Sequence, residues 1–383
     1  MATEFAIDSI IALVMAFLAV LAGCSERPEA NELADDDQAV EGRFAVDASG
    51  VRTAEVIDRE DGPVTVLVEG EPVGGEYERV WQPVFSPGGE SVAFPAYRDG
   101  QWFVVRDGEP VGGRYDGGDR PVFCPDGERL AFAAWEDGEG FVVADGRAVS
   151  RRFDWVGTPV FCPDGSSIAF AAERDGEAFV LVDGRQVGDR YDEVRSPVFC
   201  PVDGWVLFAA REGDAWFVVR DGSPWGVRYP LGAMGWIEHL AAGPAGQSAA
   251  FVVRRETEYF VVWDFARVAG HYTAVGPPVF DPSGRNLAFA AARSEDDWVL
   301  VVNGAELDVE RGATRIQDVV FAPSGDVLAC WVQVGGKWFV YRSGELRPEP
   351  YDAPVALRAS PEDGRLVIVG LRGGAVRRET VEW

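Results

Sequence analysis

Short apolar runs separated by polar turns recur along most of this chain. In one copy the runs are PVF at 121–123, LAFAA at 130–134, FVV at 141–143 and a weaker run at 147–153. Each run is too short for a helix and most are rich in Val and Phe, so the pattern predicts four strands. Pro125-Asp126-Gly127 and Asp145-Gly146 supply turn residues, and Asp-Gly suits a two-residue type I′ hairpin. The unit is therefore predicted to be a four-stranded antiparallel meander.

The unit returns with a period of about 38 residues. Its turn prolines are Pro87, Pro125, Pro163, Pro201, Pro244, Pro282, Pro323 and Pro361, and residues 47–50 look like a degenerate ninth turn. A single meander cannot bury both faces, whereas copies stacked around an axis can, and closure leaves only short edges. A β-solenoid is the alternative, but its repeats are shorter.

The expected fold class is therefore all-β, a β-propeller with four-stranded antiparallel blades over residues 43–383. Counting the turns predicts eight or nine blades. The last unit, residues 356–383, lacks a fourth strand. A strand near residues 38–46 is therefore expected to complete or border the last blade.

The motifs Phe-Ser-Pro-Gly-Gly at 85–89 and Phe-Cys-Pro-Asp-Gly at 123–127 carry a family resemblance. The repeat resembles that of TolB-like β-propellers, bacterial relatives of the WD-type blade. Trp263-Asp264 is an isolated Trp-Asp pair, which disfavours a eukaryotic-style WD protein. Because propellers include enzymes, binders and scaffolds, the resemblance implies a fold and not a function.

The N-terminal stretch predicts export. An apolar run at 10–22 ends in Leu21-Ala22-Gly23-Cys24, and its length suits a signal-peptide core better than a membrane span. Leu-Ala-Gly-Cys is similar to the bacterial lipobox, which implies lipidation of Cys24 and a lipid-anchored protein of the cell envelope. Residues 1–9 carry Glu4 and Asp8 without Lys or Arg, so an uncleaved anchor and a cytoplasmic protein stay open.

Residues 25–42 are polar and acidic, which predicts a disordered tether between the signal segment, 1–24, and the propeller. The whole chain has a net charge of −28 and a single lysine, Lys337. Such a charge argues against nucleic acid or an anionic lipid surface as a partner. A solvated acidic surface explains most of it. The expected partner is an envelope protein or peptide, or a small ligand, and we expect a monomer.

The cysteines predict packing rather than chemistry. Cys124, Cys162 and Cys200 occupy one repeat position, where Ser86 stands in another copy. Equivalent positions on neighbouring blades are too far apart for a disulfide or a shared zinc ion. These three and Cys330 are therefore predicted to be small buried residues, and no metal or cofactor is expected.

Sequence motifs of catalysis are missing. The chain has two histidines, and the stretch Gly246-Gln247-Ser248-Ala249-Ala250 fails the nucleophile-elbow pattern at its last position. Asp107, Asp145, Asp183 and Asp221 precede Gly at the third turn, so we expect structural roles for them. The alternative to a non-catalytic protein is a carbohydrate-active or other hydrolytic propeller that uses carboxylates at the channel mouth.

The connection from the fourth strand to the next first strand varies most among the copies, and residues 230–240 form its longest version. Trp and Arg dominate protein hot spots. The predicted ligand- or partner-binding residues are Trp81, Arg120, Arg195, Trp236 and His239. For Trp236 the alternative is that it caps the edge of a blade core. The predicted function is a non-catalytic, membrane-tethered module that binds a protein or a ligand.

The lipidation hypothesis is tested at Cys24. In cells that express Cys24→Ala, we expect unprocessed precursor and no labelling by a fatty-acid probe, because the acceptor thiol is gone. Processing identical to that of the native chain would reject the lipoprotein interpretation.

Overall fold

The repeated meander forms nine β-sheets, arranged as the blades of a propeller. The computed structural model describes residues 44–47, 52–58, 62–195, 197–231, 235–246, 248–360 and 364–383. Over these residues the protein is all-β without a helix, so none of them forms a helix that could cross a membrane. The predicted signal segment and tether, residues 1–42, lie outside the described residues. Nine blades confirm the upper of the two predicted counts.

Each blade runs from an inner strand to an outer strand. Blades 1 to 3 comprise β1 Phe44–Val46, β2 Thr53–Ile57, β3 Thr65–Val68, β4 Glu71–Pro72; β5 Arg79–Val80, β6 Val84–Phe85, β7 Val92–Arg98, β8 Gln101–Arg106, β9 Glu109–Tyr115; β10 Gly117–Gly118, β11 Val122–Phe123, β12 Leu130–Glu136, β13 Glu139–Ala144, β14 Arg147–Ala148. Blades 4 to 6 comprise β15 Trp155–Val156, β16 Val160–Phe161, β17 Ile168–Arg174, β18 Glu177–Val182, β19 Arg185–Tyr191; β20 Glu193–Val194, β21 Val198–Phe199, β22 Val206–Glu212, β23 Ala215–Arg220, β24 Ser223–Pro230; β25 Trp236–Ala242, β26 Ala249–Arg255, β27 Glu258–Trp263, β28 Ala266–Arg267. Blades 7 to 9 comprise β29 Ala274–Val275, β30 Val279–Phe280, β31 Leu287–Ser294, β32 Asp297–Val302, β33 Ala305–Leu307; β34 Ala313–Phe321, β35 Leu328–Val334, β36 Lys337–Arg342, β37 Glu345–Leu346; β38 Ala353–Ala359, β39 Leu366–Arg372, β40 Ala375–Val381.

The inner strand begins earlier than the sequence pattern predicts. In blade 3 it consists of two pieces, β10 and β11, which pair with opposite halves of β12. The same interruption occurs in blades 2, 4, 5 and 7. Residues predicted as a loop between blades therefore belong to the inner wall of the ring. The fourth strand of blade 3 is also shorter than predicted, because β14 holds only Arg147 and Ala148.

The Asp-Gly turns adopt the predicted conformation. Asp145 and Gly146 have φ angles of 48° and 75°, the two positive values that a type I′ turn requires. Asp145 Oδ1 also accepts a hydrogen bond of 3.0 Å from the backbone N–H of Leu130, which ties the turn to the second strand. Asp107, Asp183 and Asp221 make the same bond, so the structural role predicted for these four residues is confirmed.

Neighbouring blades pack a large residue against small ones. Phe132 of blade 3 lies in one buried cluster with Ala93 and Val104 of blade 2. Tyr115, from the outer part of blade 2, packs edge-on against Phe132 with ring centroids 6.0 Å apart. Because successive side chains of a strand point to opposite faces, Ala133 faces the other way and meets Phe170 of blade 4. In the Ala-Phe-Ala motif, the phenylalanine therefore packs against one neighbouring blade, and the two alanines leave room for the phenylalanine of the other.

Arginines cover the outer aromatic rings. Arg114, Arg152, Arg190 and Arg228 place their guanidinium carbons 4.9, 5.0, 5.1 and 4.0 Å from the ring centroids of Phe103, Phe141, Phe179 and Phe217. Each also forms an ion pair with an Asp or Glu. A planar guanidinium can stack on a ring while its edge binds a carboxylate, which an ammonium cannot do as well. This double contact accounts for the choice of Arg over Lys at these positions.

The cysteines are buried and form no disulfide, as predicted. Cys124 stands at the first turn, and its side chain faces Gly165 in the equivalent turn of the next blade. Ser86 occupies the same place opposite Gly127. The position therefore requires a small side chain, and burial raises the pKa of the Cys124 thiol.

Ring closure differs in part from the prediction. Strand β1 pairs with β2 in blade 1, so it does not complete blade 9, whose described part has three strands. It does border that blade, because Val46 shares a buried cluster with Ala356, Val367 and Val369. Side-chain packing, rather than a shared strand, thus joins the ends of the described chain.

The close approach between blades predicts an unequal response of two glycines. Gly188 has a φ of 81°, and a Cβ there would lie 3.1 Å from the Cα of Gly222 in the next blade. Gly176 has a φ of 75° and open space around it. Gly176→Ala should destabilise by roughly 1–2 kcal/mol through backbone conformation alone. Gly188→Ala should cost about 1–3 kcal/mol more because the blades must separate. Denaturant unfolding checks this, and equal losses would contradict it.

Burial of the thiols gives a second prediction. Cys124, Cys162 and Cys200 should resist a thiol reagent in the folded protein and react once it is denatured, because the reactive thiolate must be accessible. The measurement is reagent uptake with time. Rapid labelling of all three in the native state would show that the blade contacts do not shield them.

Candidate binding face

One end of the ring carries a row of aromatic side chains. This end, the upper face, holds the turns between the second and third strands, such as Asp137–Gly138. Directly below these turns, equivalent positions of neighbouring strands lie side by side, as in Arg79–Tyr97–Trp102 of blade 2 and Trp236–Arg254–Tyr259 of blade 6. The aromatic row consists of Tyr97, Trp102, Trp135, Trp155, Trp216, Trp236, Tyr259, Trp298 and Trp338. Blade 9 has Ala353, Leu371 and Val376 at this level, so the row is absent there.

Trp236, a member of this row, contacts two arginines and one glutamate. The guanidinium carbon of Arg254 lies 4.0 Å from its ring centroid, and that of Arg195, from blade 5, lies 5.7 Å from it. The indole Nε1 donates a hydrogen bond of 2.6 Å to Glu238 Oε2. Trp236 is half-buried, with one side against the core shared by blades 5 and 6. It therefore packs on the core and also contributes to the surface.

Arg195 is held in position from several sides. It forms an ion pair of 2.8 Å with Glu193 and lies 5.5 Å from the ring centroid of the buried Trp216. Glu193 is in turn bound by Arg211, with a nitrogen–oxygen distance of 3.3 Å. The guanidinium is thus oriented before any partner arrives, which lowers the ordering cost of binding.

His239 lies on the same strand as Trp236, at a bulge of β25 between Glu238 and Ala241. Its φ of 49° is unusual for a non-glycine residue and is typical of a bulge that redirects a side chain. Burial lowers the pKa of His239, and the charge of Glu238 opposes this shift. The imidazole is therefore neutral near pH 7, which suits a hydrogen-bonding role rather than a cationic one.

Trp81 and Arg120 belong to a separate group on blades 2 and 3. The ring centroid of Trp81 lies 4.5 Å from that of Trp102. Arg120 Nη2 donates a hydrogen bond of 2.9 Å to Oε1 of Gln82, the residue that follows Trp81. Burial within the ring lowers the pKa of Arg120, and Asp119 partly offsets this. These contacts join the inner walls of two adjacent blades.

The five predicted residues therefore lie on inner strands or in their interruptions, not on a rim of loops. Arg195 and Trp236 meet on blades 5 and 6, and His239 lies on the same strand as Trp236. Trp81 and Arg120 lie on blades 2 and 3. The predicted long loop, residues 230–240, is mostly strand, because β24 ends at Pro230 and β25 begins at Trp236.

Sequence reasoning missed Arg254 and Trp102. Both were accessible from the repeat phase, because Arg254 follows its turn proline, Pro244, by the same interval as Tyr97 follows Pro87. Trp102 follows Pro87 by 15 residues, the interval at which Trp216, Tyr259 and Trp338 follow Pro201, Pro244 and Pro323, so this second column holds four members of the row. The two columns fall at the ends of the second and third strands, which the pattern of apolar runs predicts as core.

The carboxylates of the inner strands are already engaged. Asp119 accepts hydrogen bonds from Thr158 and from the backbone of Arg120, Glu193 binds two arginines, and Glu238 binds Trp236. A glycosidase needs one carboxyl group free to give a proton and another free to attack or activate water. Within the described ranges, no cluster of His, Cys, Asp and Glu could hold a metal ion.

Comparison with solved structures supports the fold. A crystal structure of the eukaryotic initiation factor aligns with a TM-score of 0.50 at 13% identity, over 82% of this chain and 89% of the other. The Dos1 propeller aligns with a TM-score of 0.47 at 13% identity, over 81% and 95%. Puromycin hydrolase aligns with a TM-score of 0.42 at 18% identity over 81% of this chain, which spans 61% of the hydrolase. At these identities the similarity concerns the propeller fold alone. No protein-family model and no curated protein sequence matches the chain.

Proposed function

We propose that this chain is a non-catalytic binding module, tethered to the cell envelope, whose upper face recognises an envelope protein or peptide. The observation that carries the proposal is the cluster of Trp236 with Arg195 and Arg254. Trp and Arg are the residues that contribute most to protein–protein contacts when they are held in place by neighbours.

The surface chemistry supports a protein or peptide over nucleic acid. A chain with a net charge of −28 repels a polyanion at long range. Locally, the arginine edges beside Trp236 can bind carboxylate groups, and the indole can bind apolar groups. A partner with both kinds of group matches this part of the face.

The N-terminal residues bear on where the protein is located. Lipidation of Cys24 would anchor the chain to a membrane, and the acidic residues 25–42 would separate the ring from that anchor. A spacer of this kind lets a monomeric head reach partners beside the membrane.

The binding hypothesis is tested by a matched pair of tryptophans. Trp236 and Trp225 both pack, half-buried, against the same core cluster, but Trp225 lies beside the Asp221–Gly222 turn at the opposite end of the ring. Each Trp→Ala change should lower the melting temperature by a similar amount. A lost hot-spot residue typically costs about 2 kcal/mol or more, roughly thirtyfold in affinity.

We therefore expect Trp236→Ala to lose the proteins that the native chain captures from envelope extracts, and Trp225→Ala to retain them. The measurements are the melting temperature of each variant and quantitative capture at equal folded concentration. Equal capture by both variants would assign Trp236 to packing alone and reject the upper face as the binding surface.

A further inference from the structure

A cleft opens between blades 3 and 4 at the lower face, the end of the ring opposite the aromatic row. Its volume is about 570 Å³, which lies within the range of small-molecule sites. Ile168 and Phe170 form its apolar floor, and Val149, whose exposed fraction is 49%, lies at its side. The polar lining includes Asp145, Arg147 and Asp183.

At the cleft an arginine reaches the interface from a different position in the repeat. Arg129, which also lines the cleft, lies 5.1 Å from the ring centroid of Phe161 and donates a hydrogen bond to the carbonyl oxygen of Gly165. At the interface of blades 2 and 3, Arg106 fills the equivalent space. It lies 5.3 Å from the ring centroid of Phe123 and donates hydrogen bonds to Ser91 Oγ and to the carbonyl oxygens of Gly127 and Glu128. Blade 3 has Ala144 at that position.

A second change widens the opening. Gly112 of blade 2 approaches Gly146 of blade 3 closely, and Gly188 of blade 4 approaches Gly222 of blade 5 in the same way. Blade 3 has Ser150 at the corresponding place, and a Cβ at Gly184, on the facing turn of blade 4, would meet nothing within 4 Å. The contact that seals the other two interfaces is therefore absent here.

Two carboxylates and one guanidinium of the cleft are not engaged in ion pairs with other described residues. Asp107 of blade 2 lies 3.6 Å from Arg106 Nε, whereas Asp145 has Ala144 beside it. Oδ1 of Asp145 and Oδ1 of Asp183 accept backbone hydrogen bonds, which leaves Oδ2 of each available. Among the described residues, neither these carboxylates nor Arg147 forms an ion pair within 4.0 Å.

We propose that this cleft binds a short peptide with free termini and apolar side chains. Its ammonium group would lie against Asp145 and Asp183, its carboxylate against Arg147, and its side chains over Ile168 and Phe170. Charges of both signs at the rim of an apolar floor favour a zwitterion over a simple anion or cation. This site is independent of the aromatic row, because it lies at the other end of the ring.

The test uses the dipeptide Leu-Phe and isothermal titration calorimetry on the full chain. We expect saturable binding to one site. N-acetyl-Leu-Phe and Leu-Phe amide each lack one terminal charge, so each should bind roughly tenfold more weakly or worse. If Leu-Phe does not bind at millimolar concentration, or if the blocked peptides bind as well as the free one, the proposal is wrong.

Variants then locate the site. The double change Ala144→Arg with Arg129→Ser transplants the arrangement of Arg106 and Ser91, so it should place a guanidinium beside Asp145, as Arg106 stands beside Asp107, and weaken binding at least tenfold while the chain stays folded. Asp145→Asn should weaken binding roughly tenfold, and Asp107→Asn, in the same turn of blade 2, should leave it unchanged. Asn is tolerated at this turn, because Asn303 makes the equivalent backbone bond in blade 7. Equal affinities for the two Asn variants would overturn the assignment even if the double variant failed to fold.

Discussion

The contact between the second strands of adjacent blades is the constraint on which the ring depends. In blades 3, 4 and 7 this strand places a phenylalanine on one face and alanines on the other, as in Ala131-Phe132-Ala133. Protein interiors are packed as densely as crystals, so a bulky residue on both faces would push the blades apart. The repeated motif is therefore a spacing device, and it sets the distance at which every other contact between blades forms.

Blade 8 shows how the constraint accommodates change. Cys330 occupies the place of the phenylalanine and faces blade 7, while Trp331 replaces the following alanine and faces blade 9. The bulky residue has moved from one face of the strand to the other. The buried cluster between blades 9 and 1 is aliphatic, so within the described ring it contains neither the phenylalanine nor the second aromatic side chain found between other blades.

The packing between blades explains which positions of the repeat vary in chemical character. Positions between the blades are restricted by volume, and the turns are restricted by positive φ angles and by the Asp side chains that bind the second strand. The inner wall and the ends of the strands are less restricted. The Trp236 cluster and the cleft beside Ala144 both arise at such positions.

The sequence by itself determined the all-β class, the blade, its turns and the burial of the cysteines. Those features depend on short apolar runs between polar turns, on the conformational preferences of Asp-Gly and Pro, and on a period that is visible in the sequence. Tertiary structure decided that nine sheets form, that β1 stays in blade 1, and that Arg195, Trp236 and Arg254 meet on adjacent blades. Such contacts join residues from different repeats across an interface, and their geometry depends on the angle between blades, which the pattern within one unit does not contain. The cleft could not be predicted for the same reason, because its lining comes from two blades that meet only in the folded ring.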